Sequence, residues 1–96
     1  MHERFSVDIL YALRNEVSIR HLIREVLDLP SKTASDGTFH FLCPLCLSFE
    51  TATHLKTNLA RCFLCQKNFN PIDLTMIVKH YSFVESVHFL SPFLPK

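Results

Sequence analysis

Four cysteines are all the chain has, and they fall as two short pairs, Cys43-Pro44-Leu45-Cys46 and Cys62-Phe63-Leu64-Cys65. The pattern C-x2-C-x15-C-x2-C matches a structural zinc spacing. Each C-x2-C loop brings two thiolates to one side, and a hairpin of about this length returns the second pair opposite them. Four sulfurs at ~2.3 Å then close a tetrahedron around one zinc ion and leave no open position for hydroxide, so the metal is expected to be structural. Its binding energy, on the order of 10 kcal/mol, makes folding and metal uptake a single event, because an isolated two-stranded ribbon is marginal in water.

Other uses of four cysteines stay open at this point: disulfides, a dithiol redox centre, or an iron–sulfur cluster. A reducing compartment disfavours the first, and no βαβ pattern surrounds either pair to favour the second. His40 lies three residues before Cys43 and is a fifth candidate ligand, although four thiolates already fill a tetrahedron. His21, His80 and His88 fall on predicted helices and read as surface or partly buried side chains. Zinc knuckles commonly place glycine after their second cysteine, where φ turns positive; Leu47 and Gln66 occupy those places here.

The elements that must position the cysteines can be read on both sides of them. Ile9, Leu10 and Leu13 mark one short helical face ending near Asn15. Ile19, Leu22, Ile23, Val26 and Leu27 mark a second, with Ser18 as N-cap and Pro30 as stop. Residues 31 to 38 ("SKTASDGT") gather turn formers and the sole glycine, and read as an internal boundary. Phe39-His40-Phe41 alternates like a strand, and Thr51 to Leu55 and Leu59 to Phe63 read as two more, joined by Lys56-Thr57-Asn58. Asn70-Pro71-Ile72-Asp73 and Ser82-Phe83-Val84-Glu85 start two helices, expected over 71 to 80 and 83 to 90.

The predicted fold class is therefore α+β: a zinc ribbon with a small antiparallel sheet of three strands, flanked by two N-terminal and two C-terminal helices. A single domain over residues 1–96 divides into a helical segment (residues 1–30), a ribbon (residues 38–69) and a second helical segment (residues 70–92). With 48% hydrophobic residues, nine Phe and one Gly, the composition is that of a folded globular chain. Met1-His2-Glu3-Arg4 leads into an amphipathic pattern, and no apolar run approaches the ~18 residues of a membrane helix, so no membrane partner and a cytoplasmic setting are expected. Phe83, Val84, Val87, Leu90, Phe93 and Leu94 load the C-terminal end with apolar surface that must pack against the first helices or mark a docking face, such as that of a homodimer.

Phe39-His40-Phe41-Leu42-Cys43-Pro44, Cys62-Phe63-Leu64-Cys65, Ile72-Asp73-Leu74 and Phe83-Val84-Glu85-Ser86-Val87 together resemble the N-terminal zinc-binding domain of bacterial DNA primases, the CHC2 zinc-finger family. The likeness spans nearly the whole chain. Cys46 stands where that family usually has histidine, so the all-cysteine set is similar to that of phage primase-helicases. Gln66-Lys67-Asn68-Phe69-Asn70 replaces a glycine-rich run. Thr57 and Leu59 stand where phage primases place an aspartate and a histidine that help read template bases.

This resemblance implies a module that contacts single-stranded DNA template in DNA replication and primer synthesis. Polymerisation is then the work of a separate primase catalytic domain, and such a domain or a helicase is the protein partner the resemblance implies. The chain contains no Asp-x-Asp pair from which to build a two-metal transfer site, so it is not expected to be an enzyme by itself. Candidate contacts to nucleic acid are Lys56, Arg61 and Lys67 for phosphate and Phe63, or Phe69, for stacking on a base, with His40 and His54 nearby. The rival reading is a zinc-stabilised protein–protein interaction module in which the aromatics are core and the basic groups balance the site. Zinc with four thiolates carries a net charge of about −2, which takes the loaded chain from +1 to about −1 and implies a weak binder.

Overall fold

The computed structural model describes residues 4–95; the reading of Met1 to Glu3 as a lead into the first helix lies outside them. Ser6 accepts from the Ile9 N–H and starts α1 (Val7–Asn15), whose buried anchor is Leu13. Ser18 accepts from the His21 N–H and starts α2 (Ile19–His21), the capping role its hydroxyl predicts. The chain then widens into a π-helical stretch, Leu22–Val26, where the apolar spacing predicts a plain α-helix. The widened turn is closed by Leu27 N–H to Leu22 C=O at 2.8 Å, and Leu22 and Ile23 within it are fully buried.

Residues 31 to 38, read as an internal boundary, contain the first strand and the loop of a hairpin. β1 (Ser31–Thr33) pairs antiparallel with β2 (Phe39–Phe41), and Gly37 takes φ 90° in the loop between them. A second antiparallel sheet runs β3 (Thr51–His54), β4 (Leu59–Cys62), β5 (Lys67–Phe69), with β4 central. The α+β class and the three-stranded ribbon sheet hold, while the third strand is β5 and not Phe39–Phe41. Lys67-Asn68-Phe69 carries little strand signal because only Phe69 is buried, so pairing with β4 decides it.

Thr51 ties the two sheets together. Its hydroxyl accepts from Phe41 N–H at 2.8 Å and donates to Phe41 C=O at 2.6 Å, standing in for the backbone of a pairing strand. His40 Nδ1–H donates to the Thr51 carbonyl at 2.7 Å, which fixes the ring's proton on that nitrogen. Phe41 has no exposed surface, so Thr51→Val leaves two buried backbone groups without partners. We expect it to destabilise the metal-loaded protein by about 2–4 kcal/mol, and Thr51→Ser by clearly less, in urea unfolding followed by circular dichroism.

The C-terminal helices begin where their caps predict. Asn70 and Asp73 exchange side-chain to backbone bonds at the start of α3 (Pro71–Lys79), and Ser82 and Glu85 do the same for α4 (Phe83–Leu90). His80 closes α3 in the left-handed region at φ 58°, and a 3₁₀ turn, Ser91–Phe93, follows α4. Helix α1 packs on α3 and α4, with the Phe5 ring 6.1 Å from Phe83; of the apolar tail Val87 and Leu90 are buried within the chain, Val84 and Leu94 are half-buried, and Phe83 and Phe93 stay exposed. Among the described residues no helix is long and apolar enough to cross a membrane.

Candidate metal centre

The four cysteines meet between two knuckles. Cys43 and Cys46 sit on a loop closed by Leu47 N–H to Cys43 C=O at 2.8 Å and by Cys43 N–H to Ser48 C=O at 2.9 Å. Cys62 ends β4, and Cys65 lies in the turn that leads into β5. Leu47 and Gln66, the residues after each second cysteine, adopt φ 62° and 57°. The knuckles thus keep the glycine-type backbone with bulkier residues, at about 1–2 kcal/mol apiece, which metal binding can offset.

All four thiols are free, and their Sγ atoms lie within 4.8 Å of one another. Cys46 and Cys62 stand 3.5 Å apart and Cys43 and Cys65 3.9 Å. Sulfurs placed ~2.3 Å from one tetrahedral ion stand ~3.8 Å from each other, so the cluster fits a single metal ion. A multi-iron cluster has no room inside so tight a set. Cys43 and Cys62 have no exposed surface and belong to the hydrophobic core, whereas Cys46 and Cys65 are partly open. His40 is engaged with Thr51 and stands apart from the cluster.

The thiols do not ionise alike. Burial pushes the Cys43 thiol up. The Cys46 thiol, with burial behind it, pushes Cys65 up to about 12. Burial also acts upward on Cys62, but the Cys65 N–H donated to its Sγ at 3.4 Å and the thiols of Cys46 and Cys43 outweigh it and bring it down to about 7. One sulfur is therefore ready to engage a metal near neutral pH, and the metal must displace protons from others.

Beside the centre lies the open face of the β3–β5 sheet. Register places Ala52, Arg61 and Asn68 in one row across it, with His54 opposite Leu59 in the next. These side chains, with Thr57 and Phe63, line a groove of about 300 Å³. The Phe63 ring is 55% exposed, so it is not core, and the Arg61 guanidinium lies 5.6 Å from its centroid. Of the four residues singled out for nucleic acid, the structure brings Arg61 and Phe63 together and leaves Lys56 exposed in the adjoining turn. Lys67 is separated from them. It pairs with Cys62, one step out of phase with Arg61, and lines a different cleft with Leu45 and Met76. Phe69 is buried and offers no stacking face.

Sequence reasoning passes over Asn68, which shares the groove, and Asn58, which holds the hairpin tip. Asn58 sits at φ 56°, a conformation asparagine tolerates better than most residues, and that tolerance is its one signal in the sequence.

Fold and site together define an α+β module of zinc-ribbon type whose four cysteines can hold one metal ion. No family model matches the chain, and no curated protein is significantly similar to it.

Proposed function

We propose that the chain is a primase-type zinc-binding module that holds zinc in its four-cysteine centre and single-stranded DNA on the open face of the ribbon, without catalysis of its own. The observation that carries this reading is the exposed Phe63 ring beside Arg61, at the open face of the β3–β5 sheet next to the second cysteine knuckle. A ring open to solvent can stack on an unpaired base while a guanidinium meets phosphate, an arrangement that suits a single strand and not a duplex. Thr57 and Leu59, at the positions where the resembled phage primases read template, line the same groove. Zinc is favoured over other ions by the all-thiolate set and its tetrahedral spacing.

Fluorescence anisotropy with labelled single strands at low salt tests it. Phe63→Ala and Arg61→Ala should each weaken binding about tenfold, and Lys67→Ala should leave it unchanged. Two phosphate contacts, from Lys56 and Arg61, give a log–log salt slope of about −1.4. Absence of binding at high protein concentration favours the rival interaction module, for which the exposed Leu45, Leu47 and Leu64 at the knuckle tips are the apolar surface.

A further inference from the structure

The groove of the open face has a neighbour round the edge of its sheet. Thr53 lines the groove from β3, an edge strand, and alternation turns its hydroxyl away from the face that Arg61 occupies. Arg20 Nη2 donates to that hydroxyl at 3.4 Å, and its guanidinium lies 4.9 Å from the centroid of the buried Phe39 ring. Both contacts fix the fork in place. Arg20 Nε is buried without a hydrogen-bond partner, and no carboxylate pairs with Arg20 among the described residues, so a held cation stands uncompensated at the sheet edge. Arg20 also lines a second cleft, of about 260 Å³, with Ser18, His21, Arg24 and Glu25. His21 and Arg24 are exposed, and Glu25 is the one acidic residue in that lining. Its carboxylate meets Arg24 Nε at 3.9 Å with both side chains more than half exposed, too weak a pair to cancel two guanidiniums.

We infer that the cleft of Arg20, His21 and Arg24 is a second phosphate site, which takes the backbone of a single strand after it leaves Phe63 and rounds the β3 edge. The inference rests on the single-strand reading above and adds a site on a different element. One row across the sheet runs from Asn68 on β5 through Arg61 on β4 to Ala52 on β3, so the edge lies one strand spacing, about 4.8 Å, beyond Arg61. Ala52 is the smallest side chain in that row, which keeps the crossing low. A guanidinium fork matches the paired oxygens of a phosphate, and Arg20 loses little side-chain freedom on binding because Phe39 and Thr53 already hold it. Contacts to phosphate position a strand without reading its bases, so the cleft lengthens the bound segment and is indifferent to its sequence.

The test uses the zinc-loaded full chain and labelled oligo-dT of about five and about fifteen nucleotides, compared by anisotropy, the shorter strand being sized for the groove alone. Arg24→Gln should weaken the longer strand about fivefold and spare the shorter, whereas Glu25→Gln should tighten the longer and spare the shorter. Both side chains are more than half exposed, so neither change is expected to disturb the melt. Opposite signs on one strand length exclude a merely structural effect. The log–log salt slope should steepen from about −1.4 for the short strand to about −2.8 for the long one, as two phosphates are added. Variants that change neither length, or both lengths alike, overturn the inference while single-strand binding stands; the first of these is also what a cleft for free phosphate alone would give. Failure of both lengths to bind overturns the inference and the reading beneath it together.

Discussion

Stripping the metal with a strong chelator is expected to abolish the cooperative thermal melt, and Cys62→Ser is expected to prevent zinc retention. Structural zinc contributes about 10–16 kcal/mol at neutral pH, as large as the whole ~5–15 kcal/mol net stability of an ordinary domain. Geometry makes the dependence severe. Cys43 and Cys62 are fully buried in the core beside Phe41 and Ala60, so an empty site leaves thiols or thiolates there with no ion to balance them. β4 and β5 join at the register pair Cys62–Lys67, next to the second knuckle, so losing the ion frees the turn that keeps β5 on the sheet. Elemental analysis should find one zinc per chain, and circular dichroism with and without chelator should show the melt only in the loaded form. A melt that survives full metal removal would sink the zinc-ribbon account.

Acid should act in the same direction. Protons and metal compete for the same sulfur lone pairs, so zinc affinity falls as pH falls. Because the Cys43 and Cys65 thiols are raised, with Cys65 at about 12, loading at neutral pH should release at least two protons, readable with an indicator dye in weak buffer.

Asn58→Ala is the second change with a large expected effect, although the residue lies far from the metal. Its Oδ1 accepts from Ile19 N–H at 2.9 Å, and its Nδ2 donates to Arg14 C=O at 2.8 Å and Val17 C=O at 2.7 Å. One side chain at the tip of the β3–β4 hairpin thereby satisfies both ends of the α1–α2 connection. Removing it orphans groups at Val17 and Ile19, which are almost wholly buried, and forces alanine into φ 56°. The expected loss is about 3–5 kcal/mol, or a fall in Tm of about 15 °C or more. Asn58→Asp keeps the shape but turns the donor toward two carbonyls into an oxygen, and should be at least as damaging. Asn58→Gly keeps the backbone conformation and should fall between Asn58→Ala and the parent. A change of less than ~0.5 kcal/mol in Asn58→Ala would mean that the hairpin tip does not hold the helices.

These two sites separate what was legible in the chain from what was not. The cysteine pattern is readable because each C-x2-C is a local loop whose geometry depends on few neighbours. Both C-terminal helix starts are readable for the same reason, since Asn70 with Asp73 and Ser82 with Glu85 bond within a single turn. The left-handed sites at Leu47 and Gln66 follow from the knuckle itself.

Tertiary structure decided the rest. β5 is a strand because β4 offers it a partner, β1 exists because β2 returns beside it, and Lys67 parts from Arg61 because adjacent residues on a strand point to opposite faces. Thr51 and Asn58 read locally as an ordinary strand residue and a turn residue. Their partners lie 10 and up to 44 positions away, so their weight comes from contacts across the fold. By itself, the sequence determined which residues could form the metal centre and where three of the helices begin, at Ser18, Asn70 and Ser82, because knuckles and caps are local patterns spanning three or four positions. Strand partners, the sides of the sheet on which Arg61, Phe63 and Lys67 stand, and the residues that bolt ribbon to helices were settled only when distant segments competed to satisfy buried backbone groups.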